Sequence, residues 1–65
     1  MKIFYNGELM EVTAESLDGL LRELNLEGQA VATAVNGDFV PRSLRAEKLL
    51  IENDHVEVVA PMQGG

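Results

Sequence analysis

Apolar and polar residues alternate along the first segment, Lys2 to Tyr5, with Ile3 and Tyr5 on one side and Lys2 and Phe4 on the other. Period-2 alternation of β-prone residues predicts a strand whose Ile3 and Tyr5 face the core. Asn6-Gly7 follows, the dipeptide preferred in a two-residue type I′ turn, so Glu8 to Thr13 reads as the returning strand of a hairpin. Val12 is its expected core member; the inward side of the remainder is not set by the pattern. The period then changes. Leu17, Leu20, Leu21 and Leu24 recur at helical spacing behind Ser16, a residue suited to accept a hydrogen bond from the first turn. Asp18 sits where the helix dipole favours an anion. Gly19 weakens the helix but permits close packing on a sheet, and Asn25 suits the left-handed position that ends a helix.

Ala30 to Val35 reads as a third strand, closed by a second Asn-Gly pair at Asn36-Gly37, with Phe39-Val40 returning until Pro41. Here Ala30, Ala32 and Ala34 alternate with Val31, Thr33 and Val35, and either set can face the helix. Ser43 can start a short helical turn from Leu44 to Lys48. Arg42, Arg45 and Lys48 cluster there; a solvated turn accounts for them, with a grip on a partner carboxylate as the alternative. Leu49-Leu50-Ile51 is apolar and expected to be buried. Asn53-Asp54 makes a last turn before a strand from His55 to Ala60. Glu57 should point to water. Val59 then lies outward beside it, and Val56, Val58 and Ala60 face inward. The order hairpin, helix, hairpin, turn, strand predicts an α+β fold. It has a mixed four- to five-stranded sheet, one helix across one face, and the N-terminal hairpin beside the last strand, which is the β-grasp arrangement of ubiquitin.

Composition narrows the functional classes. Sixty-five residues with 46% hydrophobic and 25% charged side chains form one small domain, here residues 1–60, followed by a tail, 61–65. A core of that size leaves little room for an enclosed active site. The absence of cysteine excludes disulfides and thiolate metal sites, and the one histidine, His55, reads as a solvated side chain. The net charge of −6 disfavours nucleic acid and anionic membranes and favours steering towards a basic protein surface. Neither a signal-peptide core nor a membrane-length apolar run is visible, so the cytoplasm is expected. Carboxylates such as Glu8 and Glu11 have no evident pocket to tune them, so the chain is not expected to be an enzyme.

What remains is the tail. Pro61 cannot donate to a ladder, so pairing should stop there, and Gly64 and Gly65 carry nothing that packs. Five extended residues reach roughly 17 Å at ~3.3–3.6 Å each. That places an ionised α-carboxylate inside another protein's pocket. Such a carboxylate can attack the α-phosphate of ATP, giving an acyl-adenylate that a sulfur donor can displace. Mg-ATP and sulfur must come from partner enzymes, and the chain itself binds no metal or cofactor. Upstream, Val59 and Phe4 share the uncovered face on neighbouring strands and form a candidate docking pair.

Four stretches carry a family resemblance: I-F-Y-N-G-E (Ile3 to Glu8), S-L-D-G-L-L (Ser16 to Leu21), V-N-G-D-F-V-P-R-S (Val35 to Ser43) and V-E-V-V-A-P-M-Q-G-G (Val56 to Gly65). Over essentially its whole length the chain resembles the ThiS family of thiamine-biosynthesis sulfur carriers. The resemblance implies adenylation of Gly65 by a ThiF-type enzyme, conversion to a thiocarboxylate, and sulfur donation to the thiazole synthase ThiG. It implies that Gly64, Gln63 and Met62 thread the partner's active site, and that Val59 sits at an apolar docking position. The free chain is expected to be monomeric. Glu52-Asn53-Asp54 departs from the D-G-D frequent in relatives, and asparagine tolerates the left-handed turn required. The alternatives are the small subunit of molybdopterin synthase, which uses the same carboxylate chemistry, and a ubiquitin-like modifier or interaction module.

Overall fold

The computed structural model describes residues 1–60; the tail assigned to residues 61–65 lies outside them. Strands β1 (Lys2–Tyr5) and β2 (Glu8–Glu11) form the first hairpin. Helix α1 (Leu17–Glu23) follows, then β3 (Ala32–Val35) and β4 (Asp38–Val40), a 3-10 helix (Arg42–Glu47) and β5 (His55–Val59). The five strands make one sheet in the order β2-β1-β5-β3-β4. β5 runs parallel to β1 and antiparallel to β3, so the last strand is the centre of the sheet.

Both hairpins turn as their Asn-Gly pairs dictate. Asn6 and Gly7 have φ of 48° and 87°, and Asn36 and Gly37 have 52° and 87°, the double positive φ of a type I′ turn. Asn25 and Asn53 also adopt positive φ, 62° and 71°, the left-handed geometry that asparagine tolerates. Ser16 caps α1, its hydroxyl accepting from the Gly19 amide at 3.1 Å. Gly19 is needed beside that cap rather than against the sheet: a Cβ there would lie 3.3 Å from Ser16 Oγ and 3.5 Å from Ala14 Cβ.

Leu17, Leu20 and Leu21 bury the helix stripe against Ile3, Val35, Val56 and Val58. β3 presents Thr33 and Val35 inward, and Ala32 and Ala34 outward. At the other end of the helix, the Glu23 carboxylate accepts from the amides of Thr13 (3.2 Å) and Ala14 (2.9 Å) and from the Thr13 hydroxyl (3.1 Å). The hydrogen bond from the Thr13 amide is the main reason its pKa falls below the usual glutamate value.

Three expectations are corrected. The 3-10 helix begins at Arg42, and Arg45 is not solvated: it is 6% exposed. Its Nε donates to Thr33 Oγ1 at 3.0 Å and its Nη2 to the Val31 carbonyl at 2.6 Å, tying the 3-10 helix to the start of β3. Of Leu49-Leu50-Ile51, Leu50 alone is buried, while Leu49 and Ile51 are 67% and 68% exposed. The segment runs extended beside Ser16, with the Leu50 amide donating to the Glu15 carbonyl at 2.9 Å, so alternate side chains must point outward. Ala60 lies past the end of β5 and is exposed rather than inward. Among the described residues no helix is long and apolar enough to cross a membrane.

Candidate functional site: the open face of the sheet and the end of β5

With α1 on one face, the register fixes what stands on the other. Phe4 is opposite Leu9 on β2 and His55 on β5. Ala34 is opposite Phe39 and Glu57, and Ala32 is opposite Val59. The open face therefore carries Leu9, Phe39 and Val59, which are 57%, 69% and 63% exposed, together with a half-buried Phe4. These apolar side chains are spread across the face rather than joined into one patch, with His55 and Glu57 of β5 between them.

Phe4 and Val59 share this face on adjacent strands, as alternation predicted, but they do not touch through their register. Phe4 is level with His55, four residues before Val59, which puts them roughly 13 Å apart along the strand at ~3.3 Å per residue. Between them stands Glu57. The ring that does meet Phe4 is His55, stacked with centroids 4.4 Å apart and planes within 13°. The histidine is exposed, yet its neighbour is aromatic, a pairing formed by two residues far apart in the chain.

The strand that leads to the tail is anchored on both sides by turn asparagines. β1 stops at Tyr5, and the Asn6 side chain takes over its pairing. Its Nδ2 donates to the Val58 carbonyl at 3.1 Å, and its Oδ1 accepts from the Val58 amide at 2.9 Å. Asn36 does the same at the strand's start. Its Oδ1 accepts from the His55 amide at 3.0 Å, and its Nδ2 donates to Asp54 Oδ1 at 2.9 Å. Asp54, buried, in turn accepts from the Ile51 amide through Oδ2 at 2.9 Å. β5 is thus held along its length up to the Ala32–Val59 pair. The sequence marks these asparagines only as turn formers. That each is followed by Gly, with its amide free to reach the neighbouring strand, is the signal that could have revealed the second role.

The remaining sequence-predicted site residues, Met62, Gln63, Gly64 and Gly65, lie outside the described residues. The described part is a β-grasp domain of the ubiquitin-like class, open on one sheet face, with its last described strand at the centre of the sheet. Comparison with known proteins narrows the class. The ThiS family profile matches residues 3–65, and the chain belongs to the ThiS family. The crystal structure of a thiamine biosynthesis protein (ThiS) from Geobacter metallireducens is similar, with a TM-score of 0.81 at 30% identity over all of both chains. The solution structure of a thiamine biosynthesis protein from the same organism gives 0.80 at 29% identity, over all of this chain and 88% of that one. A thiazole synthase of Paramagnetospirillum magneticum is 35% identical over 66 residues, a match that takes in all of this chain and spans 20% of that protein's length.

Proposed function

We propose that this chain is a sulfur carrier of thiamine biosynthesis, acting through the carboxyl group of Gly65. The observation that carries the reading is family membership across residues 3–65, terminal glycines included. In the first step the Gly65 carboxylate attacks the α-phosphate of Mg-bound ATP on a ThiF-type enzyme. The bond to the β-phosphate breaks, pyrophosphate leaves, and an acyl-adenylate forms. A sulfide-level nucleophile then adds to the acyl carbon and expels AMP, leaving a thiocarboxylate with no net redox change. That sulfur passes to the thiazole ring on a thiazole synthase. A thiazole synthase containing a segment similar to this whole chain supports such a recipient.

The chain's own part is binding and presentation. Gly64, Gln63 and Met62 thread the partner's channel, Gly64 being narrow enough to pass as bare backbone. Val59 and Phe4 belong to the apolar face on which the partner docks. The chain contributes no catalytic group, and residues 1–60 serve as the grip for the tail at 61–65. Intact-mass measurement after incubation with a ThiF-type enzyme, ATP and a sulfide donor should show one oxygen replaced by sulfur. Deleting Gly65 should abolish that change while leaving the thermal midpoint where it was. Isopeptide-linked conjugates, or an unmodified mass for the intact chain, would refute the reading.

A further inference from the structure

A groove of about 430 Å³ opens where β5 ends, lined by Ala30, Val31, Ala32, Val59, Ala60 and Arg42. Its origin is in the register. Val59 is opposite Ala32, which places Ala60 beside Val31; Val40 is opposite Thr33, which brings Arg42 to the other flank of Val31. The start of β3 is the floor, and Ala60 and Arg42 are walls about 10 Å apart, two strand spacings of ~4.8 Å. The hollow exists because Ala30 and Ala32 are small. Arg42 is exposed, and among the described residues it has no carboxylate within ion-pair distance. The neighbouring arginines are engaged: Arg22 reaches Asp18 at 3.0 Å and Glu27 at 3.3 Å, and Arg45 is bonded to Thr33 and Val31.

We propose that this groove is the register point for the activating enzyme, which places an apolar side chain in the hollow and a carboxylate on Arg42. The inference rests on the carrier reading above. An enzyme that takes up residues 61–65 must cover Ala60, and Ala60 is one wall of the groove. The chain's own tail is a poor occupant: the backbone entropy of ordering five residues outweighs burial of one methionine and an exposed ion pair. The net charge of −6 repels an acidic surface elsewhere, so a single unpaired cation at the root of the tail fixes the orientation in which an acidic group is tolerated. Arg42 is a positioning residue. Five residues separate Ala60 from the end of Gly65, a span of up to roughly 17 Å when extended in a partner's channel, which keeps Arg42 away from the nucleotide.

The test uses the full chain with a ThiF-type enzyme, following ATP–pyrophosphate exchange. Arg42→Glu should raise KM for the carrier about tenfold or more, with kcat at saturation and the thermal midpoint unchanged. Arg42→Lys should restore most of the affinity, and Ala32→Leu, which fills the hollow, should raise KM without changing charge. Lys48→Glu carries the same charge change away from the groove and should stay close to wild type. Equal effects of Arg42→Glu and Lys48→Glu would reduce the matter to net charge and overturn the inference, as would wild-type kinetics for Arg42→Glu. Amide shifts at Ala30 to Ala32 in the free chain on deleting residues 61–65 would show the tail as occupant and overturn it too. A wild-type chain that supports no exchange overturns the carrier reading and this inference together.

Discussion

The two faces of the sheet carry similar side chains and have opposite fates. On the inner face, Ile3, Val35 and Val56 are at most 2% exposed beneath the leucines of α1. On the outer face, Leu9, Phe39 and Val59 are more than half exposed, and no described residue covers them. Strand alternation alone separates the sets, since neighbours such as Val58 and Val59 differ only in which way the pleat turns them. The difference shows that the same apolar residue types are buried or left exposed by strand position alone. In β5 the two sets alternate residue by residue, Val56 and Val58 buried and His55, Glu57 and Val59 exposed.

Substitutions can break that division or sharpen it. The largest effect should come from the covered side: Leu20→Ala, at a fully buried site, should cost about 2–5 kcal/mol in chemical denaturation. That is most of the roughly 3–5 kcal/mol a core this small supplies, so the variant should be largely unfolded at ambient temperature. Arg45→Met should cost about 1.5–3 kcal/mol, because the Val31 carbonyl loses a charged donor while Thr33 keeps its bond to the Val40 carbonyl. Arg45→Lys should not rescue it, since one ammonium cannot reproduce the forked contact. Gly37→Ala meets no neighbour within 4 Å, so its cost of about 1–2 kcal/mol should be backbone strain at φ 87° alone. Val59→Asp should change stability by no more than about 0.5 kcal/mol, as for exposed sites generally. It should nevertheless weaken binding to the activating enzyme measurably in a titration. A large stability loss would place Val59 with the inner set.

The smallest effect concerns pH. The folded-state pKa of Glu23 lies below the ordinary 4.5, so its contribution is complete above that value and is lost as pH falls through the lowered pKa. Glu23→Gln should therefore flatten the acid limb of a stability–pH curve below about pH 4.5 and leave the neutral region nearly level.

Much of this was legible because the determinants are local. The Asn-Gly turns, the Ser16 cap and the leucine stripe each involve residues within seven positions of one another; all formed, with Leu24 at the C-cap and only partly buried. The burial of β3 was not legible, because Ala and Val/Thr positions alternate without a polar side to mark the outside. Arg45 was misread for a different reason: its acceptors, Thr33 and Val31, lie 12 and 14 residues away and include a carbonyl that no side-chain pattern advertises. The Phe4–His55 stack spans most of the chain and depends on a parallel register that single-sequence patterns do not encode. Within the candidate site, the outward placement of Val59 followed from Glu57 and period 2, whereas Gly65, proposed from the tail's chemistry and from family likeness, lies outside the described residues.

β5 is translated after the other four described strands and yet lies at the middle of the sheet. Until it is translated, the two hairpins have no edge in common and the leucines of the helix have only half a floor. Residues 1–54 alone should therefore fail to fold, since each hairpin would be left as an isolated two-stranded ribbon.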